Sequence, residues 1–313
     1  MKKISINIQC LNEERNIIPL TNKIISILER DLPQYDYEII FSDNCSTDNT
    51  RLMIRELCKE NKKIKAILNT RNFGASSSGS NCSMSATGDC IINLFADFQS
   101  PPDMIPQFVK EWENGYKIVL GIKTKSKENI LMLAVRRLFY IISKKFSEFS
   151  VIDNFCGFSL FDRSFFDLYK TYINNNFDGK GFIAYTGIKR KDIPYIQPKR
   201  QFGKSKYNFY RYWNEAMIVF TSNTKAGLRI ATFSGMILGA ISFIIAMVYL
   251  VLKLLYWDSF DTGYAPMVIG VFLLGSFQLF FIGLLGEYVM AINTRQMNWP
   301  LVMEEERINF DAK

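Results

Sequence analysis

The sequence contains no histidine among its 313 residues. This absence excludes histidine as an acid–base catalyst or as a metal ligand. The six cysteines show no Cys-x-x-Cys spacing, and we expect them to be reduced and structural. The net charge of +8 suits phosphate-bearing ligands or an anionic lipid surface. No nucleic-acid-binding motif accompanies this charge, so nucleic acid is not an expected partner.

Charged residues are also scarce in two long segments near the C-terminus. The only charged residue in segment 228–252 is Arg229, and the only one in segment 264–292 is Glu287. Since a helix needs about 20 apolar residues to cross a bilayer, this pattern predicts two transmembrane helices. A buried helical hairpin is the alternative, although core helices seldom stay apolar on every face for so long.

The flanks of the two segments carry more lysine and arginine than the short connection Lys253–Gly263, which has one lysine and two aspartates. This asymmetry predicts that both ends of the hairpin face the cytoplasm. Residues 1–207 would then form a cytoplasmic domain. Residues 208–227, rich in aromatic side chains, are predicted to form an amphipathic helix at the membrane interface. Residues 293–313 would be a cytoplasmic tail.

The first half of the chain alternates apolar strands with amphipathic helices. The predicted strands are Ile4–Cys10, Tyr37–Ser42, Ile64–Asn69, Cys90–Phe95 and Lys117–Gly121. The predicted helices are Glu13–Glu29, Thr47–Asn61, Ala75–Ala86 and Pro102–Asn114. Beyond Ile122 the pattern is less regular, and one further helix is predicted at Asn129–Phe149. This alternation is typical of an α/β fold with a mostly parallel sheet and helices on both faces.

Polar segments follow four of these strands: Leu11–Glu14, Asp43–Ser46, Arg71–Gly74 and Asp97–Gln99. Because open parallel sheets bind ligands at the carboxyl ends of their strands, four such segments favour a site over four independent turns. Asp97 and Gln99 offer a carboxylate and an amide, which a Mg²⁺ or Mn²⁺ ion holding a diphosphate would need. A solvated turn is the alternative for the last segment taken alone.

Together these features resemble the family 2 glycosyltransferases that act on polyprenyl phosphates, such as bactoprenol glucosyltransferases and dolichyl-phosphate mannose synthases. The motifs that carry the resemblance are Ile8–Glu14, Asp43–Thr50, Arg71–Gly74, Ala96–Pro102, Arg200–Tyr207 and Leu284–Tyr288. They extend over nearly the whole chain. The resemblance implies a GT-A-like, that is Rossmann-like, sheet domain that binds a nucleotide sugar, followed by the C-terminal hairpin.

The resemblance also implies roles for single residues. The donor-binding residues would be Leu11, Glu13, Asp43 and Asp97. For Glu13 the alternative is a charge that complements a helix dipole, and for Asp43 it is a turn-forming role. The metal-binding Asp-x-Asp-x-Gln pattern of the family falls on Phe95, Asp97 and Gln99. One expected carboxylate is therefore missing, and Mg²⁺ or Mn²⁺ would be held more weakly, by Asp97, Gln99 and phosphates alone. The alternative is that metal dependence has been lost.

A second departure concerns the carboxylate that the family places before a Phe-Arg-Leu segment, to orient or deprotonate the acceptor phosphate. Gly157 stands at that position, and Asp153 and Asp162 are the nearest carboxylates. We predict that Asp153 acts together with Asp97 in catalysis and that Asp162 has a capping role. A base is less essential for a phosphate acceptor, whose second pKa of about 6 leaves it largely ionised at neutral pH.

A basic, glycine-containing loop provides the predicted phosphate ligands. Arg200, Lys204 and Lys206 would clamp donor or acceptor phosphates, and Arg137 would face the lipid phosphate. For Lys204 and Arg137 the alternative is a general attraction to anionic lipid.

The activity implied by the resemblance is the inverting transfer of one sugar, by default from UDP-glucose, to undecaprenyl phosphate for cell-surface glycan modification. The expected location is the bacterial inner membrane, as a multi-pass protein with a cytoplasmic catalytic domain. Expected partners are membrane lipid, a second copy of the chain in a dimer or tetramer, and a flippase. The alternatives are a scaffold that binds lipid or a partner after losing activity, and a transferase that acts on a growing glycan.

Overall fold

The structure is a computed structural model that describes residues 1–124, 152–172, 179–198, 226–255, 264–296 and 300–310. The helix predicted at 129–149 and nearly all of the interfacial helix predicted at 208–227 lie outside these residues. So do the predicted phosphate ligands Arg137, Arg200, Lys204 and Lys206. The described residues fall into two compact units, one containing the sheet and the other the two long C-terminal helices.

Eight strands in the described part of the chain form a single sheet. They are β1 Lys3–Cys10, β2 Asp36–Asp43, β3 Ile64–Asn69, β4 Cys90–Phe95, β5 Ile118–Lys123, β6 Phe155–Asp162, β7 Arg190–Tyr195 and β8 Glu304–Ile308. Their order across the sheet is β7-β5-β6-β4-β1-β2-β3-β8. Strands β4, β1, β2 and β3 are parallel neighbours, whereas β6 and β8 run antiparallel to β4 and β3.

Helices cover both faces of this sheet. They are α1 Glu14–Asp31, α2 Thr50–Glu60, α3 Ala75–Ser85, α4 Ile105–Glu113, α5 Arg163–Tyr172 and α6 Gly179–Thr186, with a short 3-10 helix at Pro102–Met104. Helices α1, α2 and α4 contribute to one hydrophobic cluster, and α3, α5 and α6 contribute to a second. Alternate residues of β2 enter the two clusters, Phe41 the first and Ile40 the second. The GT-A-like α/β fold predicted from the sequence is confirmed.

The composition of β1 explains why α3 is built from small residues. The isoleucines of β1 are completely buried in the cluster that contains α1: Ile4, Ile6 and Ile8. The alternate positions are polar, and Asn7 donates a hydrogen bond to the Ser83 hydroxyl of α3 at 3.0 Å. Gly79 permits the close approach of the helix, because a Cβ atom there would lie 2.0 Å from Nε2 of Gln9.

The sequence predicted the first five strands to within a few residues but missed β6, β7 and β8. Strand β8 lies in the segment predicted as a tail and pairs with β3 in the register Ala66 with Ile308. Its side chains alternate between half-buried and exposed. An edge strand of this kind carries charges in place of an apolar stripe, so it has no hydrophobic periodicity to detect.

The two segments predicted to cross a membrane are helical, as α7 Ala226–Leu255 and α8 Tyr264–Gln296. Within the described ranges, however, no helix combines the length and apolarity that a membrane span requires. The prediction of two transmembrane helices, and with it the multi-pass location in the bacterial inner membrane, is therefore wrong.

Candidate active site

The candidate site lies along the edge formed by the carboxyl ends of β1, β2, β3 and β4. Strand β1 has β2 on one side and β4 on the other, so the order of the strands reverses between β1 and β4. Such a reversal is where open α/β sheets bind their ligands. All four polar segments predicted from the sequence follow strands that end at this edge.

The loop after β1 is fastened to the loop after β2 by reciprocal hydrogen bonds. The Asn12 N–H donates to Oγ of Ser46 at 2.8 Å, and Oδ1 of Asn12 accepts from the Thr47 N–H at 2.8 Å. Asn12 has a φ of 58°, a left-handed conformation that asparagine tolerates better than most residues. The Glu13 N–H donates to Oγ1 of Thr50 at 2.8 Å. The two loops therefore form one hydrogen-bonded unit.

Leu11 and Glu13, the predicted donor-binding residues of the first loop, are both half-buried at this edge. Glu13 directly precedes α1, and its Oε2 accepts a hydrogen bond from Nδ2 of Asn16 at 2.6 Å. This contact gives Glu13 a local role at the start of the helix. A contact with a nucleotide donor stays a prediction for both residues.

Asp43, the predicted donor-binding residue at the end of β2, is fully buried. Its carboxylate accepts hydrogen bonds from the Ser46 N–H at 3.0 Å, from the Ser46 hydroxyl, and from Nε of Arg51 at 2.7 Å. The charge of the guanidinium compensates a carboxylate that would otherwise be costly to bury. Asp43 thus holds the loop after β2 in shape, and a direct contact with a nucleoside stays a prediction.

Arg51 is a residue of the site that the sequence argument missed. It lies in the first turn of α2, where the helix dipole disfavours a cation. A basic side chain at such a position, shortly after two aspartates, indicates a specific acidic partner. This local signal was available in the sequence, but the identity of the partner was not.

The turn after β3 joins the same network. Oδ1 of Asn44 accepts from the Phe73 N–H at 2.9 Å, and Nδ2 of Asn44 donates to Oδ1 of Asn72 at 2.9 Å. The Gly74 N–H also donates to Oδ1 of Asn72, at 2.9 Å. The loops after β1, β2 and β3 are therefore connected by side-chain hydrogen bonds along one edge of the sheet.

The turn after β4 carries Asp97, the predicted catalytic and metal-binding carboxylate. Asp97 is only 6% exposed, and its Oδ1 accepts a hydrogen bond from the Gln99 N–H at 3.0 Å. The Ala96 N–H donates to the carbonyl of Gln9 at 3.0 Å, which fixes the turn to the end of β1. The structure thus places Asp97 at the point where the strand order reverses.

Asp153, the other predicted catalytic carboxylate, lies at the same edge of the sheet. It precedes β6 by two residues, and β6 runs antiparallel to β4. The beginning of β6 therefore adjoins the end of β4, which leads into Asp97. The Lys123 N–H donates to the carbonyl of Asn154 at 3.2 Å and fastens this turn to β5.

Asp162 ends β6 at the opposite edge of the sheet. Its Oδ1 accepts a hydrogen bond from the Ser164 N–H at 2.9 Å, at the beginning of α5. Its Oδ2 accepts from Nε1 of Trp112 at 2.8 Å. Asp162 therefore has a structural capping role and lies away from the candidate site.

The protein offers few ligands for a divalent cation at this edge. Asp97 and Gln99 are the predicted carboxylate and amide ligands, and the half-buried Phe95 lies at the position where the resemblance implies a second carboxylate. Within the described ranges, no three His, Cys, Asp or Glu side chains cluster as a metal cage. Mg²⁺ usually takes one or two protein carboxylates and completes its shell with phosphate oxygens. The set therefore fits a cation held mainly by a diphosphate.

Tyr195 is the last residue of β7, and it precedes in the sequence the basic loop that contains Arg200. Burial raises the pKa of its hydroxyl well above the usual range, and the nearby Cys156 and Asp97 raise it further. Tyr195 therefore lies within electrostatic reach of Asp97. The chain continues from Tyr195 toward Arg200, which lies outside the described residues.

The chain has a GT-A-like α/β fold, with a mostly parallel, helix-covered sheet and an acidic turn at its switch point. Residues 5–169 match the family described as Glycosyl transferase family 2. The match covers more than half of the chain and extends from β1 into α5. The chain therefore belongs to glycosyl transferase family 2 and is a glycosyltransferase.

Relatives in this family are similar beyond the matched domain. The "prophage bactoprenol glucosyl transferase homolog" of Escherichia coli K12 is 30% identical over 288 residues, which cover 92% of this chain and 93% of the relative. The bactoprenol glucosyl transferase of Shigella phage SfX is 28% identical over 97% of this chain and 99% of its own. Among solved structures, S. aureus TarS is 17% identical, with a TM-score of 0.41 over 71% of this chain and 66% of that one.

Proposed function

We propose that this protein transfers one sugar from a nucleotide-sugar donor to a polyprenyl phosphate. The observation that carries the proposal is the similarity over 92% of the chain to a relative named as a bactoprenol glucosyl transferase homolog. That similarity includes residues well beyond the family domain, which ends at residue 169. UDP-glucose and undecaprenyl phosphate are accordingly the first donor and acceptor to test.

In the proposed reaction an oxygen of the acceptor phosphate attacks the anomeric carbon of the sugar. The bond from that carbon to the nucleoside diphosphate breaks, and the diphosphate leaves with the bonding electrons. The second pKa of a phosphomonoester is about 6, so the attacking oxygen is already largely ionised at neutral pH. A single displacement of this kind inverts the anomeric configuration.

The residues at the edge of the sheet have distinct roles in this proposal. Asp97 and Gln99 lie beside the diphosphate, and Asp153 orients the acceptor phosphate. A divalent cation bound by Asp97, Gln99 and phosphate oxygens would offset the charge of the leaving group. The loops that carry Leu11, Glu13 and Asp43 position the nucleoside. The proposed phosphate clamp consists of Arg137, Arg200, Lys204 and Lys206.

The test is sugar transfer by the purified full-length chain to undecaprenyl phosphate in detergent, with a panel of labelled nucleotide sugars. We expect lipid-linked product from one donor and a loss of kcat/KM of at least about 100-fold in Asp97→Asn. Asp103→Asn, an exposed carboxylate six positions along the chain, is the matched control and should keep full activity. Retention of the anomeric configuration would contradict the single displacement.

A negative result is equally informative. If no donor in the panel yields product while the chain still binds a nucleotide, the proposed transfer to a polyprenyl phosphate is wrong. The alternative of a scaffold that binds lipid or a partner would then be favoured, with Phe95 and Gly157 as the reason for the lost activity.

A further inference from the structure

Strand β8 is joined to α2 by two neighbouring arginine–glutamate pairs. Nη1 of Arg51 donates to Oε2 of Glu305 at 2.8 Å, and Nη2 of Arg55 donates to Oε2 of Glu306 at 2.7 Å. Both glutamates are half-exposed, at 50% and 41% of their side chains. The two glutamates are therefore similarly exposed, whereas Arg51 is more deeply buried than Arg55, with 17% against 37% of its side chain exposed.

Only the first of these pairs leads on to the candidate site. Arg55 directs both of its bonding nitrogens, Nε and Nη2, to Glu306. Arg51 instead divides its guanidinium among three partners: Nη1 binds Glu305, Nε binds the buried carboxylate of Asp43, and Nη2 binds the backbone carbonyl of Asn69. One side chain thus joins β8 to the carboxyl ends of β2 and β3.

The connection continues from Asp43 to the loop after β1. Asp43 accepts hydrogen bonds from both the N–H and the hydroxyl of Ser46. Oγ of Ser46 in turn accepts from the Asn12 N–H at 2.8 Å. A continuous path of hydrogen bonds therefore runs from Glu305 to Asn12, in the loop that carries Leu11.

We propose that Arg51, oriented by Glu305, is a positioning residue that holds the loops after β1 and β2 in the conformation that binds the nucleotide of the donor. This inference rests on the proposed function, because it assumes that a nucleotide binds at this edge. The planar guanidinium has donors fixed in a fork, so its orientation determines that of the Asp43 carboxylate. A half-exposed ion pair contributes little to stability, so the loss of Glu305 should be seen in nucleotide affinity.

The experiment compares nucleotide binding and donor kinetics of the full-length wild type with those of Glu305→Gln and Glu306→Gln. The probes are UDP and GDP, titrated by calorimetry. We expect Glu305→Gln to weaken binding about fivefold, because the charge-assisted hydrogen bond from Arg51 becomes a weaker, neutral one. We expect Glu306→Gln to bind like the wild type, since its arginine does not contact Asp43. The donor KM of Glu305→Gln should rise by the same factor with little change in kcat.

Two further measurements separate positioning from a loss of folding. The melting temperatures of the two glutamate variants should agree with each other, because each variant breaks one exposed ion pair. Arg51→Lys keeps the charge but loses the fork, and we expect more than about a tenfold loss of nucleotide affinity. Equal affinities in Glu305→Gln and Glu306→Gln would overturn the inference. A wild type that binds neither nucleotide would instead overturn the proposed function, and this inference with it.

Discussion

The ring of Phe95 lies against the backbone of Gly157, so that a Cβ atom on Gly157 would be 3.2 Å from both Cε2 and Cζ of the ring. Gly157 also has a φ of +100°, which L-amino acids adopt only with strain. These are the two positions at which the resemblance described above implies aspartate. The aromatic ring and the glycine therefore form a packed pair, in which the ring limits the size of the side chain that position 157 can carry.

The first prediction concerns the stability of this pair. Gly157→Ala should destabilise the protein by about 1–2 kcal/mol through its backbone conformation, and by about 1–3 kcal/mol more through overlap with the ring. The overlap should disappear when Phe95→Ala is introduced as well. Chemical unfolding of the two single variants and the double variant measures this coupling.

Gly115→Ala provides the matched control for backbone strain. Gly115 has a φ of +91°, and a Cβ atom there would meet nothing within 4 Å. Gly115→Ala should lower the free energy of unfolding only through backbone strain, and by the same amount with or without Phe95→Ala. If both glycine variants lose the same stability in both backgrounds, the contact between Phe95 and Gly157 has no energetic effect.

The second prediction concerns the divalent cation. Because Phe95 leaves one carboxylate beside the diphosphate, nucleotide binding should require a higher Mn²⁺ concentration than a two-carboxylate site would. Phe95→Asp adds a carboxylate and should lower the Mn²⁺ concentration that gives half-maximal nucleotide binding, whereas Phe95→Leu should not. Identical Mn²⁺ dependence in the two variants would show that position 95 takes no part in cation binding.

The third prediction concerns acid stability and Glu38, which is 1% exposed on β2. Burial by itself raises the pKa of the Glu38 carboxyl, but hydrogen bonds from Lys65, Ser5 and Thr87 outweigh it and lower the pKa from 4.5 to about 2. A folded-state pKa below the unfolded value stabilises the protein above pH 4.5, and this stability is lost as the pH falls toward 2.

Glu38→Gln should therefore remove on the order of 2 kcal/mol of stability at pH 7 and should flatten the fall in stability between pH 5 and pH 3. The free energy of unfolding, measured by urea denaturation across this range, checks both effects. Glu60→Gln, on the exposed end of α2, should leave the pH profile unchanged. If the stability of Glu38→Gln falls with pH as steeply as that of the wild type, Glu38 is not a source of the acid sensitivity.

The fourth prediction concerns thiol reactivity. Burial raises the pKa of Cys58 to about 12 and raises those of Cys82 and Cys90 as well, whereas Cys156 is exposed on β6. A maleimide reagent at pH 7.5 should therefore modify Cys156 well before the buried thiols. Cys156 adjoins Gly157 in the candidate site, so a bound donor should slow its modification.

Mass spectrometry of the modified peptides, with and without UDP-glucose, checks this order. Cys156→Ser should remove the fastest phase of labelling, leaving the slower phase of the half-buried Cys45, with nucleotide affinity unchanged within about twofold. Fast labelling of Cys58, Cys82 or Cys90 in the folded protein would contradict the burial of these side chains.

The sequence by itself determined the parallel part of the sheet and the location of the site. Strands β1 to β4 are short apolar runs, and α1, α2 and α4 have amphipathic periodicity, which are local properties of the chain. Parallel pairing then brings the segments after these strands to one edge, so the sequence predicts that the segments carrying Asp43 and Asp97 lie at the same edge of the sheet. The order and spacing of these motifs also predicted the family correctly.

Only the tertiary structure decided which side chains contact one another at this edge. Arg51 and Glu305 are 254 positions apart, and nothing local to either residue identifies its partner. The same holds for Phe95 and Gly157, which meet only because β6 returns antiparallel beside β4. The burial of Asp43 and the incorporation of β8 into the sheet were likewise invisible in the sequence. Local patterns record backbone propensity and burial, whereas these contacts depend on the order of strands in the sheet, which the chain determines only as a whole.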